Sequence, residues 1–422
     1  MTTTTTTDVD ALYRRHLSAG RARVGSILGG QVEMSAEGCI VTDARGDRYL
    51  NCGGYGVFLL GHGHPRVLEA VRAQLERRAL STRLFMDETQ AIAAQALAEL
   101  APEGLDHVYF GTSGADAVEA AIKLARMHGK RRLVCAAGGF HGKTFGALSV
   151  CGNPILTEPF HPLLEGVEQV PFGSGEAAER AIAAVGDAGC VVLEPIQAEG
   201  GVRIPPPGYL HRVAAACRAA GAMLVVDEIA TGLGRVGDWW AVEREGVVPD
   251  VVLAGKPLGG GVAPVGALIA SDEAFAPLDR DPFMHSTTFS ASPIVMAAVT
   301  ATVDVLLEED IPARARALGD RLAERLRDAL SEAVDGGLVT EIRAAGLLIG
   351  IEFAEPRYAG DFEIELLSQR VIPNHCLNSH AVMRLTPPAT LSEEEVDWFV
   401  EVITISADAI GARQRGRARG RR

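Results

Sequence analysis

The sequence predicts an α/β fold in which a mainly parallel β-sheet carries helices on both faces. From about residue 64 onward, short apolar runs that end in turn residues alternate with amphipathic stretches long enough for helices. A parallel strand is buried on both faces and reads as a continuous apolar run, and two parallel strands need a crossover between them. The strands expected from these runs cover residues 107–110, 133–136, 190–193, 223–226 and 251–253.

The other segments predict further helices and a smaller set of strands. Residues 11–28 are expected to be helical, and residues 39–52 to form a hairpin with Gly46 and Asp47 in its turn. Further helices are expected over 64–79, 87–100, 294–307 and 312–333, and further strands over 339–353 and 383–388. Neither an internal repeat nor a linker rich in Pro, Gly or Ser separates independent modules.

Composition and charge are those of an ordinary globular protein. Of the 422 residues, 47% are hydrophobic and 22% are charged, and the net charge is −14. This acidic balance argues against a general nucleic-acid binder. No apolar run reaches the roughly 18 residues of a membrane span. The opening MTTTTTTDVD has neither the cationic start nor the apolar core of a secretory signal.

Cysteine and histidine usage predicts a cytoplasmic protein that holds no metal. The seven cysteines are dispersed without CxxC or CxxxC spacing, which favours reduced thiols over a disulfide framework. His62 and His64 lie in GHGHP, where turn glycines surround them and no third ligand is near. We interpret this segment as a turn.

Two residues at strand ends point to a specific chemistry. Asp227 ends one apolar run, and Lys256 closes a second run just before three glycines. Ligands of open α/β sheets collect at the carboxyl ends of such strands. An amine and a carboxylate placed there suit a pyridine ring that carries an aldehyde, because the amine can form a Schiff base and the carboxylate can keep the ring nitrogen protonated. From the pattern alone, a surface lysine and a capping acid are the simpler interpretations.

The wider sequence resembles a known family. The run DEIATGLGRVG…PDVVLAGKPLGGG, together with GTSGADAVEAAIKLAR, FHGKTFGALS, EPIQAEGG, HSTTFSASP and MRLTPP, is similar to the class III (ω-amino-acid) aminotransferases, which depend on pyridoxal 5′-phosphate. PPPGYL and LNSHAVMRLTPP are most similar to the putrescine and ornithine aminotransferase branch. The resemblance implies fold type I, with a large cofactor domain and a small α+β domain built from both chain ends.

The domain boundaries expected from this resemblance are as follows. Residues 1–60 join the small domain, and residues 1–9 within them are expected to be disordered. Residues 61–310 form the large cofactor-binding domain. Residues 311–412 form the C-terminal part of the small domain, and the basic tail 413–422 is expected to be disordered.

The resemblance also assigns roles to single residues. Lys256 forms the Schiff base and then moves the proton, and Asp227 holds the ring nitrogen. The cofactor-binding residues implied are Ser113, Gly114 and Ala115 at the phosphate, Phe140 on the ring face, and Thr288, which reaches the phosphate from the neighbouring subunit of a homodimer. His141 and Gly142 complete the motif of Phe140, but no chemical role follows for them.

Three residues are expected to contact substrate. Arg384 resembles the arginine that takes the α-carboxylate of glutamate or 2-oxoglutarate through a bidentate fork. Glu199 resembles the acid that pairs with this arginine when the other substrate has no carboxylate there. A structural salt bridge is the alternative interpretation of the pair. Tyr55 lies where the branch places an aromatic substrate contact.

The sequence also departs from the family pattern at three places. Ala230 replaces a glutamine that hydrogen-bonds the cofactor's ring oxygen, Ala198 replaces the usual glycine of QGEGG, and HSTTFSASP replaces the common FGGNP. The resemblance predicts ping-pong transamination between an amine donor (a diamine, ω-amino acid or glutamate) and a keto acid or aldehyde such as 2-oxoglutarate. An aminomutase or decarboxylase of the same fold, and a non-catalytic cofactor-binding protein, remain alternatives.

Overall fold

The computed structural model describes residues 8–419. Its α-helices are α1 Val9–Leu12, α2 Ala19–Ile27, α3 Pro65–Arg77, α4 Glu88–Ala98, α5 Gly114–Met127, α6 Phe145–Ser149, α7 Pro154–Thr157, α8 Gly175–Val185, α9 Tyr209–Ala220, α10 Asp272–Arg280, α11 Pro293–Glu308, α12 Ile311–Ala329, α13 Ser331–Asp335, α14 Pro356–Ser368 and α15 Glu393–Arg419. Its strands are β1 Glu33–Glu37, β2 Ile40–Asp43, β3 Arg48–Asn51, β4 His107–Gly111, β5 Arg132–Ala136, β6 Val167–Val170, β7 Gly189–Leu193, β8 Met223–Asp227, β9 Val251–Ala254, β10 Gly266–Ala270, β11 Val339–Ala345, β12 Leu348–Phe353, β13 Val371–Ile372, β14 Asn374–His375 and β15 Val382–Leu385. None of the helices described here is long and apolar enough to cross a membrane.

A seven-stranded sheet organises the middle of the chain, in the order β4-β10-β9-β8-β7-β5-β6. The pairs β6–β5, β5–β7, β7–β8 and β8–β9 are parallel, whereas β10 runs antiparallel to both β9 and β4. All five predicted strands of the alternation are present. The mainly parallel sheet is therefore confirmed, with β10 as its one reversed member among the residues the structure describes.

Alternate residues of this sheet enter separate cores on its two faces. Val191 and Val226 pack into the larger core, which continues towards the C-terminal helices. Their neighbours Val192 and Val225 pack into a second core beneath helix α5. Burial on both faces explains why the strands read as unbroken apolar runs.

Two smaller sheets flank the large one. The first has the order β1-β2-β3-β13 and the second the order β11-β12-β15-β14. Strand β13 pairs in parallel with β3, with Val371 opposite Leu50, so a strand from the last quarter of the chain completes a sheet that begins near the start. The predicted hairpin 39–52 is strands β2 and β3, which are antiparallel.

The structure differs from the expected elements at the chain ends. The helix predicted over 11–28 is interrupted by a π-helical turn, Tyr13–Leu17, and by extended Ser18, whose side chain caps α2 by accepting from the amide of Arg21. The tail expected to be disordered from residue 413 continues helix α15 to Arg419, in keeping with the good helix propensity of its Arg and Ala residues. Of the N-terminal stretch 1–9, residues 1–7 lie outside the described residues, and Val9 begins α1.

Candidate active site

A cavity of about 230 Å³ lies at the carboxyl ends of the parallel strands. Asp227 is the last residue of β8, and Lys256 follows the end of β9 by two residues. Parallel strands bring both side chains to the same edge of the sheet, as ligand sites of open α/β sheets require. The cavity is lined by Gly114, Ala115, Phe140, His141, Gly142, Glu194, Ala198, Glu199, Asp227, Ile229, Ala230 and Lys256.

Asp227 is buried and held by two hydrogen bonds. Its Oδ2 lies 2.7 Å from Nδ1 of His141, and its Oδ1 accepts from the backbone amide of Ile229 at 3.0 Å. Burial would lower the pKa of His141, but the hydrogen bond to Asp227 and the charges of Asp227 and Glu194 outweigh it, so this pKa is raised. A histidine that donates to Asp227 fixes the orientation of its carboxylate.

Lys256 begins a short 3₁₀ turn, Lys256–Gly259, with a left-handed backbone at φ 31°. Burial lowers the pKa of its ammonium, while the negative charge of Glu199 opposes the shift. The side chain passes close to the N-terminal part of the chain, since a Cβ added to Gly56 would lie 3.4 Å from Cδ of Lys256. A lysine with a lowered pKa in a cavity is suited to act as a nucleophile.

The start of helix α5 forms another wall. Gly114 and Ala115 line the cavity, where the first amides of a helix point at a ligand and favour an anion. Ser113 is exposed and caps the helix, its Oγ accepting from the amide of Asp116 at 3.2 Å. Only small residues fit at this wall: a Cβ added to Gly142, whose φ is 123°, would lie 2.5 Å from Cβ of Ala115.

Phe140 lines the cavity on the loop after β5. Its backbone amide donates to Oε2 of Glu194 at 3.0 Å. Asn378 supports the same loop, because its side-chain amide donates to the carbonyls of Gly138 at 2.9 Å and Gly139 at 3.1 Å. Polar contacts from Glu194 and Asn378 thus hold the backbone of the loop that carries Phe140.

Glu199 and Arg384 form a buried ion pair. Oε1 of Glu199 lies 2.5 Å from Nη1 of Arg384, and the side chains are 6% and 1% exposed. Oε2 of Glu199 accepts from the backbone amide of Leu377 at 2.9 Å. None of the three guanidinium nitrogens of Arg384 has a well-aligned hydrogen bond within residues 8–419, despite the close ion contact. The arginine therefore keeps donors available next to the cavity.

Four predicted site residues do not line the cavity: Ser113 and Arg384, whose contacts are given above, and Tyr55 and Thr288. Tyr55 is 50% exposed, with a left-handed backbone at φ 55°. Its segment is anchored near Lys256, because Thr386 donates to the carbonyl of Gly53 at 2.7 Å and Arg235 to that of Gly56 at 3.2 Å. Thr288 is exposed and does not line the cavity of its own chain.

Residue-based reasoning left His141 without a role and did not single out Glu194. Both belong to motifs that were visible in the sequence, FHG and EPIQ. Their importance depends on contacts between segments that are far apart in the chain: 86 residues separate His141 from Asp227.

Comparisons with known proteins agree with this geometry. The family description Aminotransferase class-III matches residues 30–406. The chain belongs to the class III aminotransferases. Among solved structures, the ornithine aminotransferase from Toxoplasma gondii ME49 is 30% identical, with a TM-score of 0.85 over 91% of each chain. An (S)-enantioselective ω-transaminase from Thermomicrobium roseum is 29% identical, with a TM-score of 0.84 over 96% of this chain and 98% of that one.

A transaminase from the marine bacterium Virgibacillus is also similar, at 25% identity and a TM-score of 0.86 over 91% of this chain and 94% of that one. The predicted family, fold type I and dependence on pyridoxal 5′-phosphate are thereby confirmed, and the protein is an aminotransferase. A second structure of the Toxoplasma gondii enzyme is described with partial occupancy of this cofactor at the active site.

The residues of the cavity fit the cofactor. When bound, pyridoxal 5′-phosphate supplies an aldehyde that captures amines and a ring that accepts electrons. The cavity offers Lys256 as the amine, Asp227 as a fixed carboxylate, and the small residues Gly114 and Ala115 at a helix N-terminus as an anion cradle. Ala230 also lines the cavity and has no side-chain hydrogen-bond donor to offer a ligand there.

Proposed function

We propose that this class III aminotransferase transfers an amino group from a diamine, ω-amino acid or glutamate to a keto acid or aldehyde such as 2-oxoglutarate. The observation that carries the substrate proposal is the ion pair between Glu199 and Arg384 beside Lys256. A buried ion pair gains little stability over apolar packing, so a purely structural role explains it poorly. Arg384 is a carboxylate-binding site, and Glu199 occupies it when the substrate has no carboxylate there. The pair can therefore serve both half-reactions.

In the half-reaction with a keto acid, Arg384 binds the α-carboxylate as Glu199 moves aside. The amide of Leu377 already donates to the second oxygen of Glu199, so the carboxylate keeps one hydrogen-bond donor after it leaves the arginine. In the other half-reaction, a donor without a carboxylate at this position leaves the ion pair closed. The charge of Arg384 is then neutralised, and one pocket accommodates both kinds of substrate.

We propose the following roles for the remaining residues. With the cofactor bound, Lys256 would be the amine that holds its aldehyde and would move the proton at the substrate carbon, and Asp227 would hold the ring nitrogen. Phe140 would cover the ring, and Ser113, Gly114 and Ala115 at the start of α5 would hold the phosphate. Tyr55, on the anchored segment above Lys256, contacts the substrate.

A homodimer completes the site in this proposal. An apolar surface supports it: Leu84, Phe85 and Phe283 are each more than 80% exposed. The two segments that carry them meet, since the guanidinium of Arg83 donates to the carbonyl of Thr287. Exposed apolar patches of this kind mark interfaces. Thr288 lies in the same segment as Phe283. In a homodimer, Thr288 of one subunit would reach the cofactor phosphate bound by the other subunit.

The predicted domain division and location belong to the proposal as well. Residues 1–60 and 311–412 form one small domain around the large domain 61–310, supported by the pairing of Leu50 in β3 with Val371 in β13. A cytoplasmic location is supported by the seven cysteines, all of which are buried free thiols.

Steady-state kinetics test the reaction. Varying an amine donor at several fixed concentrations of 2-oxoglutarate should give parallel double-reciprocal lines, as a ping-pong enzyme requires. Turnover of an amine without any keto acid would instead indicate an aminomutase, and release of carbon dioxide a decarboxylase. A protein that binds the cofactor but turns over no amine would contradict catalysis altogether.

A further inference from the structure

Glu194 is a buried carboxylate in the cavity wall to which the proposed roles assign no task. It follows β7 directly, and its side chain lines the same cavity as Asp227 and Lys256. Burial raises its pKa to about 7, against the opposing charge of His141. The groups around it indicate that it acts on His141.

His141 contacts one carboxylate, that of Asp227, and faces a second, that of Glu194, across a gap. Its Nδ1 is bonded to Asp227, while Nε2 is buried with no hydrogen-bond partner in the part of the chain that the structure describes. Nε2 and Oε2 of Glu194 approach the same point beside Gly139: a Cβ added there would lie 3.2 Å from the first atom and 3.6 Å from the second. The absence of a side chain at Gly139 keeps the space between imidazole and carboxylate clear.

The same oxygen of Glu194 accepts from the amide of Phe140. Glu194 thus contacts the loop that carries both Phe140 and His141. The other ionisable groups around the imidazole are Asp227 and the thiol of Cys151, whose Sγ accepts from the amide of His141 at 3.3 Å. Burial raises the pKa of Cys151 to about 11, so this thiol is neutral, and the carboxyl groups that face the ring are those of Asp227 and Glu194.

We propose that Glu194 is a positioning residue that acts on the cofactor ring through His141. In its ionised form it stabilises the protonated imidazole, which in turn donates to Asp227 and fixes the orientation of that side chain. The three groups form a relay from the cavity wall to the carboxylate at the ring nitrogen, in which Glu194 acts on His141 by charge across the space beside Gly139 and His141 acts on Asp227 by a hydrogen bond. This inference rests on the proposed role of Asp227.

The histidine itself gives a readout that does not require activity. In holoenzyme labelled with ¹⁵N-histidine, the imidazole nitrogens of His141 report its protonation as the pH is varied, and His141→Asn identifies its signals. Glu194→Gln keeps the shape and the oxygen that accepts from Phe140 but removes the charge. We expect the titration midpoint of His141 to move to lower pH, because the imidazolium loses an anionic neighbour.

Glu228→Gln is the matched control. Glu228 is also buried next to Asp227, and burial raises its pKa to about 7 as well. Its carboxylate, however, accepts from Thr231 and from the amide of Val242 at 2.9 Å, and it does not line the cavity. Glu228→Gln should leave the titration midpoint of His141 unchanged. Glu194→Asp keeps the charge, so its His141 midpoint should lie closer to the wild-type value than that of Glu194→Gln.

A second readout uses the visible absorption of the bound cofactor. Its pH dependence should change in Glu194→Gln in the same direction as the histidine titration, and stay that of wild type in Glu228→Gln. An unchanged His141 midpoint in Glu194→Gln would overturn the inference even if transamination is normal. If Glu194→Gln does not fold, the titration of His141 in the wild-type enzyme tests the inference instead. An imidazole that is neutral throughout the range from pH 6 to pH 8 would overturn it.

The outcomes separate the relay from the proposed function. A shifted midpoint in an enzyme that transaminates no tested amine supports the relay while contradicting the substrate proposal. If the His141 midpoint in Glu194→Gln equals that of wild type and the enzyme transaminates an amine, the relay is contradicted and the proposed function is supported.

Discussion

Glu199 and Arg384 lie in contact at the edge of the cavity, with 2.5 Å between Oε1 and Nη1, and both side chains are almost fully buried. The carboxylate is also fixed by the amide of Leu377. An arginine with unsatisfied donors beside a neutralising acid can exchange that acid for a substrate carboxylate.

Replacing Glu199 with Gln should change substrate preference in opposite directions for the two half-reactions. Arg384 loses its neutralising partner, so a donor without a carboxylate meets an uncompensated buried charge. We expect kcat/KM for such amines to fall about 10- to 100-fold, corresponding to roughly 1.5–3 kcal/mol for a hydrogen bond to a charged group. The value for 2-oxoglutarate should be retained or rise. Equal losses for both substrates would indicate a structural salt bridge.

Replacing Asp227 with Asn should impair the chemical step more than cofactor binding. The amide keeps the shape but cannot hold a protonated ring nitrogen by charge. We expect kcat to fall by about 10² or more, the size of effect seen when one preorganised electrostatic group is removed. Single-turnover kinetics with saturating amine measure it directly. A loss below about threefold would contradict the role of Asp227.

Replacing Gly142 with Ala should weaken cofactor binding. The new Cβ meets Ala115 at 2.5 Å in a backbone with φ 123° and displaces the start of α5. Gly129→Ala is the control, because Gly129 also has a positive φ of 79° but open space around its Cα. Both changes cost backbone strain of about 1 kcal/mol or more. Only the first should raise the dissociation constant of the cofactor, measured by equilibrium dialysis; equal effects would exclude the anion cradle.

The lowered pKa of Lys256 should appear in the stability of the protein without cofactor. A lysine that is harder to protonate in the folded state binds more protons when unfolded, so its burial costs stability at neutral pH and less as the pH rises towards 10.5. Lys256→Met should therefore raise the Tm at pH 7 and lose this advantage with rising pH. A pH-independent difference in calorimetry would contradict the shift.

The sequence was sufficient to predict most of the sheet, because strands such as β7 and β8 are buried on both faces and read as apolar runs. Strand β6, at the edge of the sheet, was not predicted, since the two polar residues in the middle of Val167–Val170 leave neither an apolar run nor a strict alternation. Strand β10 was missed because a short apolar run does not distinguish a strand from a buried helix. The helix predicted over 312–333 is two helices, α12 and the short α13; the break between them was not predicted because the helical pattern in the sequence continues across it.

Some residues of the candidate site could likewise be predicted from the sequence, and others could not. Lys256 and Asp227 were predictable because each lies at or just after the end of an apolar run. The relay of Glu194 and His141 was not, since it depends on the space beside Gly139 and on contacts across 54 and 86 residues of chain. Pairings of this kind depend on tertiary packing and leave no local pattern.

The central claim is that Lys256 serves a two-step amino transfer, and the visible spectrum of the purified enzyme tests it most directly. Mixing with an accepted amine donor should abolish the absorption band of the bound cofactor, and 2-oxoglutarate should restore it. Lys256→Ala should show no such cycle. A wild-type band that responds to no amine, or that amines change but no keto acid restores, would contradict the account.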